Sequence, residues 1–187
     1  MSKLIYVNNV SLDGYCEDDD GAYNFGPLDP ELFRTYINLT SSTPTFLYGR
    51  NLYTAMALWE TDPALAQQSE LTAEFAAVWQ AAHKIVYSST LPAPFTERTR
   101  IEREFNPAAV RELKSTTGGD ITVGGANLAS QALDAGLVDE CQLFVWPIVL
   151  GRGKPALQIG ARVVLQLIDQ RRFDNGVLLL RYRPLSR

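Results

Sequence analysis

Hydrophobic positions along this chain follow two rhythms. Short apolar runs rich in β-branched and aromatic residues, KLIYVNNV, TFLYG and KIVYSS, read as strands. Segments with apolar residues at helical spacing lie between them. DPELFRTYINLT reads as a helix with Asp29 as its N-cap and Pro30 at its first position. RNLYTAMALWE suits a short helix. From Ala64 to Ala82, the residues Leu71, Phe75, Val78, Trp79 and Ala82 make one apolar stripe, which predicts a single helix with Trp79 in the core. RIERE suits an edge strand. PAAVRELKST suits a helix capped by Asn106, opened by Pro107 and closed by Gly118 and Gly119.

The rhythm changes in the last third. DITVGGANLASQALDAGLVDE reads as a strand, two glycines, and a helix that ends at Gly136. ECQLFVWPIVLG is a strand stopped by Pro147. Period-two alternation sends Phe144 and Trp146 to one face and Val145 to the other, so both faces are apolar and one is expected to meet a partner subunit. A glycine-rich loop, GRGKPALQIG, follows. RVVLQLIDQRRF and VLLLRYRPL then flank an Asp174-Asn175-Gly176 turn, the pattern of a long antiparallel hairpin. Alternating strands and helices with this antiparallel end predict an α/β fold around a mixed, mostly parallel sheet.

Composition narrows the class. The 187 residues, 46% of them hydrophobic, suit one domain over 1–187 with a sizeable core. A net charge of -4 argues against a nucleic-acid-binding surface. No run is long enough for a membrane helix, and MSKLIYVNNV is no secretory segment, so a cytoplasmic protein is expected. The only histidine, His83, and the distant Cys16 and Cys141 offer no ligand spacing, so no metal site is expected. The acidic run Glu17–Gly21 lacks the ligand spacing of an EF-hand and reads as a mobile, solvated loop placed to act as a lid. Arg171, Arg172, Arg181 and Arg183 cluster on the final hairpin, for surface pairing or a substrate phosphate.

Candidate chemistry gathers at strand ends. Glycine at a strand-to-helix junction permits a tight turn, and it also lets an anion approach the unpaired N–H groups of the helix. Gly124 and Gly125, followed by Ala126, Asn127 and Leu128, fit either use. Gly49 and Arg50 end one strand, and Ser88 and Ser89 end another; a guanidinium and hydroxyls there suit phosphate recognition on a shared rim. Asp13 follows the first strand and precedes Gly14. It is a candidate for proton transfer or substrate orientation, and equally a candidate turn cap. Tyr15 and Tyr36 are further pocket candidates.

VNNVSLDGY, YGRNLY and the long VGGANLASQALDAGLVDECQLFVWPIVLGRGKP together resemble the dihydrofolate reductase-like superfamily, in particular the reductase domain of the bacterial riboflavin-biosynthesis deaminase-reductase. The resemblance spans nearly the whole chain and implies a stand-alone relative. It implies a three-layer α/β/α fold, a homodimer, NADPH as hydride donor, and a small heterocyclic substrate, pteridine- or pyrimidine-like. Cofactor contacts would fall on Gly49, Arg50, Ser88, Ser89, Gly124, Gly125, Ala126, Asn127 and Leu128, and the substrate end on Ser11, Leu12, Asp13 and Gly14. Three positions depart from the pattern. Leu52 replaces a threonine, and Ser89 stands where an arginine is common, which leaves NADH open beside NADPH. Phe33 stands where folate reductases carry a carboxylate, which argues against folate reduction. A non-catalytic nucleotide-binding relative is the alternative to an enzyme.

Overall fold

The computed structural model describes residues 1–22, 25–26 and 29–185. In chain order the elements are β1 (Leu4–Ser11), β2 (Tyr15–Glu17), α1 (Pro30–Ser42), β3 (Thr45–Gly49), α2 (Arg50–Met56), α3 (Leu58–Thr61), α4 (Pro63–Ala66), α5 (Glu70–Ala81), β4 (His83–Tyr87), β5 (Thr99–Glu102), α6 (Pro107–Thr116), β6 (Ile121–Gly124), α7 (Ala126–Asp134), β7 (Glu140–Trp146), β8 (Lys154–Pro155), β9 (Leu165–Arg172) and β10 (Leu178–Pro184). The main sheet is mixed and runs β5-β4-β3-β6-β1-β7-β10-β9, while β2 and β8 pair separately. The chain divides into two compact units, Met1–Ser2 with Leu28–Thr122, and Lys3–Pro27 with Val123–Arg187.

In the first unit β3 and β4 pair in parallel, as do β4 and β5. Phe33, Phe46, Tyr48, Phe75 and Trp79 form its core, and Trp79 is fully buried with its indole N–H donating to the Tyr48 hydroxyl at 3.2 Å. The expected helix from Ala64 to Ala82 is two helices, α4 and α5, broken at Gln67–Ser69. Ser69 ends the first by starting the second. Its hydroxyl accepts from the Thr72 N–H at 3.1 Å and the Thr72 hydroxyl accepts from its own N–H at 2.8 Å, a capping box with threonine in place of the usual glutamate. Lys84, 1% exposed, closes the other end of α5. Its ammonium donates to the Trp79 and Gln80 carbonyls at 3.4 and 3.3 Å, lies 4.3 Å from the Trp79 ring centroid, and faces Glu60 at 3.7 Å. Burial lowers its pKa from the ordinary lysine value, against the opposing pull of Glu60.

In the second unit β1 pairs in parallel with β7, from Ile5 opposite Glu140 to Ser11 opposite Trp146. β10 runs antiparallel to both β7 and β9, and Gly176 makes the hairpin turn with φ of 87°. The face of β7 that carries Phe144 and Trp146 is buried within this unit, and the face that carries Leu143 and Val145 is half-buried. Phe144 is fully buried and approaches Phe173 at 6.5 Å, and Val145 packs on a cluster of Val10, Cys16, Ala126 and Ala156. Exposed apolar side chains lie on and beside the hairpin, at Val164, Leu167, Ile168, Leu178 and Leu185, and also at Leu12 and Val149. The hairpin arginines are partly committed. Arg181 donates to Glu140 at 2.8 Å and to Asp169 at 3.0 Å, and Arg171 lies 4.8 Å from the Phe173 ring. Glu140 is nearly inaccessible, and burial alone would raise its pKa. The bonds from Arg181 and Gln142 outweigh that and hold it below the ordinary value.

Candidate functional site

In the first unit the candidate residues lie at the strand ends after β3 and β4. Gly49 precedes α2 with extended backbone and no side-chain cap, and a Cβ there would meet no heavy atom within 4 Å. Arg50 is exposed, and its guanidinium donates to the Thr90 hydroxyl at 2.8 Å. Ser88 is buried. Its hydroxyl accepts from the N–H groups of Thr90 and Leu91 at 3.3 and 3.0 Å, so it shapes its own turn. Ser89 is exposed. Arg103 braces this turn by donating to the carbonyls of Ser88 and Leu91 at 3.2 and 2.7 Å. Arg50, Ser88 and Thr90 therefore form one connected group. Thr90 directly follows Ser88 and Ser89 in the chain; Arg103 left no signal in the sequence. Tyr36 packs half-buried on this unit's aromatic core, as does Leu52, and Phe33 is a core residue 5.4 Å from Phe75.

In the second unit a candidate site lies at the start of α7. Gly125 is its N-cap with φ of 92° and ψ of 121°, a conformation that side chains disfavour, and no side chain caps the helix. Ala126 and Leu128 are buried and Asn127 is exposed. The Ala129 N–H makes the first helical bond, to the Gly125 carbonyl at 3.0 Å, leaving the N–H groups of the first turn free of intrahelical partners. Uncapped donors behind a positive-φ glycine fit a phosphate of a dinucleotide.

The same unit holds the SLDG turn. Leu12 is 68% exposed. Ser11 donates to Asp13 at 2.7 Å and accepts from the Tyr15 N–H at 2.9 Å, so Ser11, Asp13 and Tyr15 are joined. Asp13 also accepts from the N–H groups of Leu150 and Gly151 at 3.1 and 2.7 Å. Its carboxyl is held below the ordinary aspartate value, first by the Ser11 hydroxyl and then by these two amides. The carboxyl is exposed, and these bonds favour its charged form. The acidic run is ordered by its own bonds: Asp18 accepts from the Asp20 and Ala22 N–H groups at 2.9 and 2.8 Å, Glu17 pairs with Lys154 at 2.9 Å, and Asp19 pairs with Arg152. Among the described residues no cluster of metal-binding side chains occurs, and no helix is long and apolar enough to cross a membrane.

Comparison with known proteins gives this geometry a context. A protein of Bacillus subtilis (strain 168), the uncharacterized YyaP, is 30% identical over 191 residues, covering 96% of this chain and 94% of its own. A protein from Shewanella sp. PV-4 whose name links it to riboflavin biosynthesis shares the fold at a TM-score of 0.76 and 17% identity, over 98% of this chain and 99% of its own. A pyrimidine reductase-like protein from Corynebacterium diphtheriae does so at 0.64 and 17%, over 100% and 93%. The Thermotoga maritima diaminohydroxyphosphoribosylaminopyrimidine deaminase/5-amino-6-(5-phosphoribosylamino)uracil reductase aligns at 0.65 and 15%; this chain spans 57% of it. These likenesses show that the fold is shared. Residues 2–179 match the RibD C-terminal domain, and the chain belongs to that family.

Proposed function

We propose that this protein is an NAD(P)H-dependent reductase of a small heterocycle, pteridine- or pyrimidine-like. The observation that carries the reading is the start of α7, where Gly125 with φ of 92° precedes a first turn that no side chain caps. When bound, the reduced nicotinamide supplies the hydride. The chain's part is to bind and orient. Gly124 and Gly125 let a phosphate reach the N–H groups of Ala126, Asn127 and Leu128, and Ala126 and Leu128 anchor that turn in the core. Arg50 offers a guanidinium with spare donors to a phosphate at the adenosine end. Asp13, whose bonds favour the carboxylate form, serves to orient at the substrate end. The two cysteines, both buried and unpaired, suit a reducing compartment and hence a cytoplasmic enzyme.

The reading includes a homodimer. The support is the uncovered hairpin: β9 is the outermost strand of the sheet, with Leu167 and Ile168 exposed along it. Light scattering at micromolar concentration is expected to give twice the 20.8 kDa chain mass, and a clean monomer removes the claim.

A second reading has its own support. With Asp13 committed to Leu150 and Gly151, and Leu52 in place of a hydroxyl, a nucleotide-binding relative without turnover also fits. The melting temperature with NADPH, with NADH and with neither is the first test, because a ligand that binds only the folded state raises it. Stabilisation by NADPH together with loss of reduced-nicotinamide absorbance on a heterocycle panel supports the enzyme. Stabilisation with no turnover across the panel supports the binder, and no shift with either nucleotide removes both.

A further inference from the structure

The segment 148–160 is fastened at both ends to features that the proposed function uses. At its start the Ile148 carbonyl accepts from the Leu12 N–H at 2.8 Å, and the Leu150 and Gly151 N–H groups reach Asp13. In its middle it pairs with β2: Tyr15 lies opposite Pro155, Lys154 meets Glu17, Arg152 meets Asp19, and the Cys16 thiol donates to the Lys154 carbonyl at 3.4 Å. Gly153, with φ of 137°, allows this approach; a Cβ there would lie 2.1 Å from the Glu17 carbonyl oxygen. The Ala156 N–H then donates to the Gly14 carbonyl at 2.9 Å, and its own carbonyl accepts from the Tyr6 hydroxyl at 2.5 Å.

At its far end the segment is laced to α7. The Gln158 N–H donates to the Ser130 hydroxyl at 3.0 Å, and the Gly160 N–H to the Asp134 carboxylate at 3.2 Å. Ser130 and Asp134 are four residues apart, on one face of the helix. Cys16 and Ala156 also pack on Ala126, the first residue of α7. One strap therefore runs from the Asp13 carboxylate to the helix whose N-terminus is the proposed phosphate cradle.

We propose that Asp13 is a positioning residue: by holding Leu150 and Gly151 it tensions this strap, and the strap sets the start of α7 for the cofactor phosphates. The coupling rests on the cofactor reading above. The acidic run is part of the same device, because its charges fasten β2 to the strap.

Amide exchange on the ligand-free protein tests it, alongside NADPH affinity. In Asp13→Ala, protection at Leu150 and Gly151 is expected to fall by about tenfold or more, as the loss of a hydrogen bond to a charged acceptor implies. Protection at Ala156 and Gln158 falls with it, and NADPH binds about tenfold more weakly. Asp13→Asn keeps one acceptor oxygen, so it retains protection at Leu150 and loses it at Gly151. That split is one a general loss of stability does not give. If Asp13→Ala fails to fold, Gly153→Ala opens the strap from its middle and is read in the same way. Unchanged exchange at Leu150 and Gly151 overturns the proposal. So does opening there while Ala156 and Gln158 stay protected, or while NADPH affinity is unmoved. If the wild-type protein binds no NADPH, the cofactor reading fails and the coupling to the cradle with it; exchange at Ala156 and Gln158 then still decides whether Asp13 holds the strap.

Discussion

Helices α6 and α7 begin in opposite ways. α6 is sealed: the Asn106 side chain accepts from the Ala108 and Ala109 N–H groups at 2.9 and 3.4 Å, and Pro107 removes one donor altogether. α7 is open, because its cap, Gly125, has no side chain. The sealed kind is the commoner. Asp29, Asp62 and Ser69 cap α1, α4 and α5 in the same manner. Among the described residues, only the short α3, which continues from α2, and α2 and α7, whose caps are glycines, lack a side-chain acceptor. A capped helix start satisfies itself and serves stability. One that leaves its donors free has them available for a ligand.

The largest expected effect tests the open helix. Gly125→Val puts a β-branched residue at positive φ, where strain of about 1–3 kcal/mol is usual, and fills the space a phosphate needs. NADPH affinity should fall by about 100-fold or more, read by titration beside a melting curve that reports the folded fraction. A folded variant that binds like wild type would erase the contrast between the two helices.

Arg50→Ala addresses the other glycine-capped start. A hydrogen bond to a charged group contributes about 1.5–3 kcal/mol, so NADPH should weaken by about tenfold or more, and NADH by less. Equal weakening of the two moves Arg50 to the pyrophosphate, and none removes it from the site.

The sealed helix should respond only in stability. Asn106→Ala is expected to cost about 1 kcal/mol, with the melting temperature down by about 2–4 °C and nucleotide affinity unchanged. A change in affinity would show that α6 is not merely structural.

The smallest effect concerns Asp13, which caps across the chain instead of along it. A carboxyl whose folded pKa is depressed contributes stability above its unfolded value and loses it as pH falls through the folded one. Protection at Leu150 and Gly151, corrected for intrinsic exchange, should therefore hold above the ordinary aspartate value of 3.8 and fade only below it. Fading at higher pH would mean that the latch depends on a different group.

The local part of this architecture was legible and the long-range part was not. Asp29-Pro30 and Asn106-Pro107 carry their helix starts in adjacent residues, and Asn175-Gly176 carries its hairpin turn. The break at Gln67–Ser69 was hidden because Leu71, Phe75 and Trp79 keep their spacing through α5, and because threonine replaces the expected glutamate in the cap. β7 shows a different limit. Its two apolar faces are visible in the pattern, but the residues packed on them, Phe173 on one side and Ala126 with Ala156 on the other, come from distant stretches. In the candidate site, Gly125 was marked by its position between strand and helix. Ser11 lies two residues from Asp13, but its other partners, Leu150 and Gly151, lie more than a hundred residues away, where no spacing rule reaches, so the acidic run looked like loose loop when it is the fastening of a strap.

The placement of the tryptophans has an optical consequence. Trp79 is wholly buried in the first unit, with its N–H on Tyr48, while Trp146 is the second unit's single indole, with its N–H on Asn9 at 2.9 Å and its ring stacked on Phe25 at 6.1 Å. Each unit thus contains a shielded fluorophore whose emission shifts to the red when water reaches it. With Trp59 and one of these two replaced by phenylalanine, the remaining indole reports the opening of its own unit, and the two colour changes reveal whether the halves of the chain melt together or in turn.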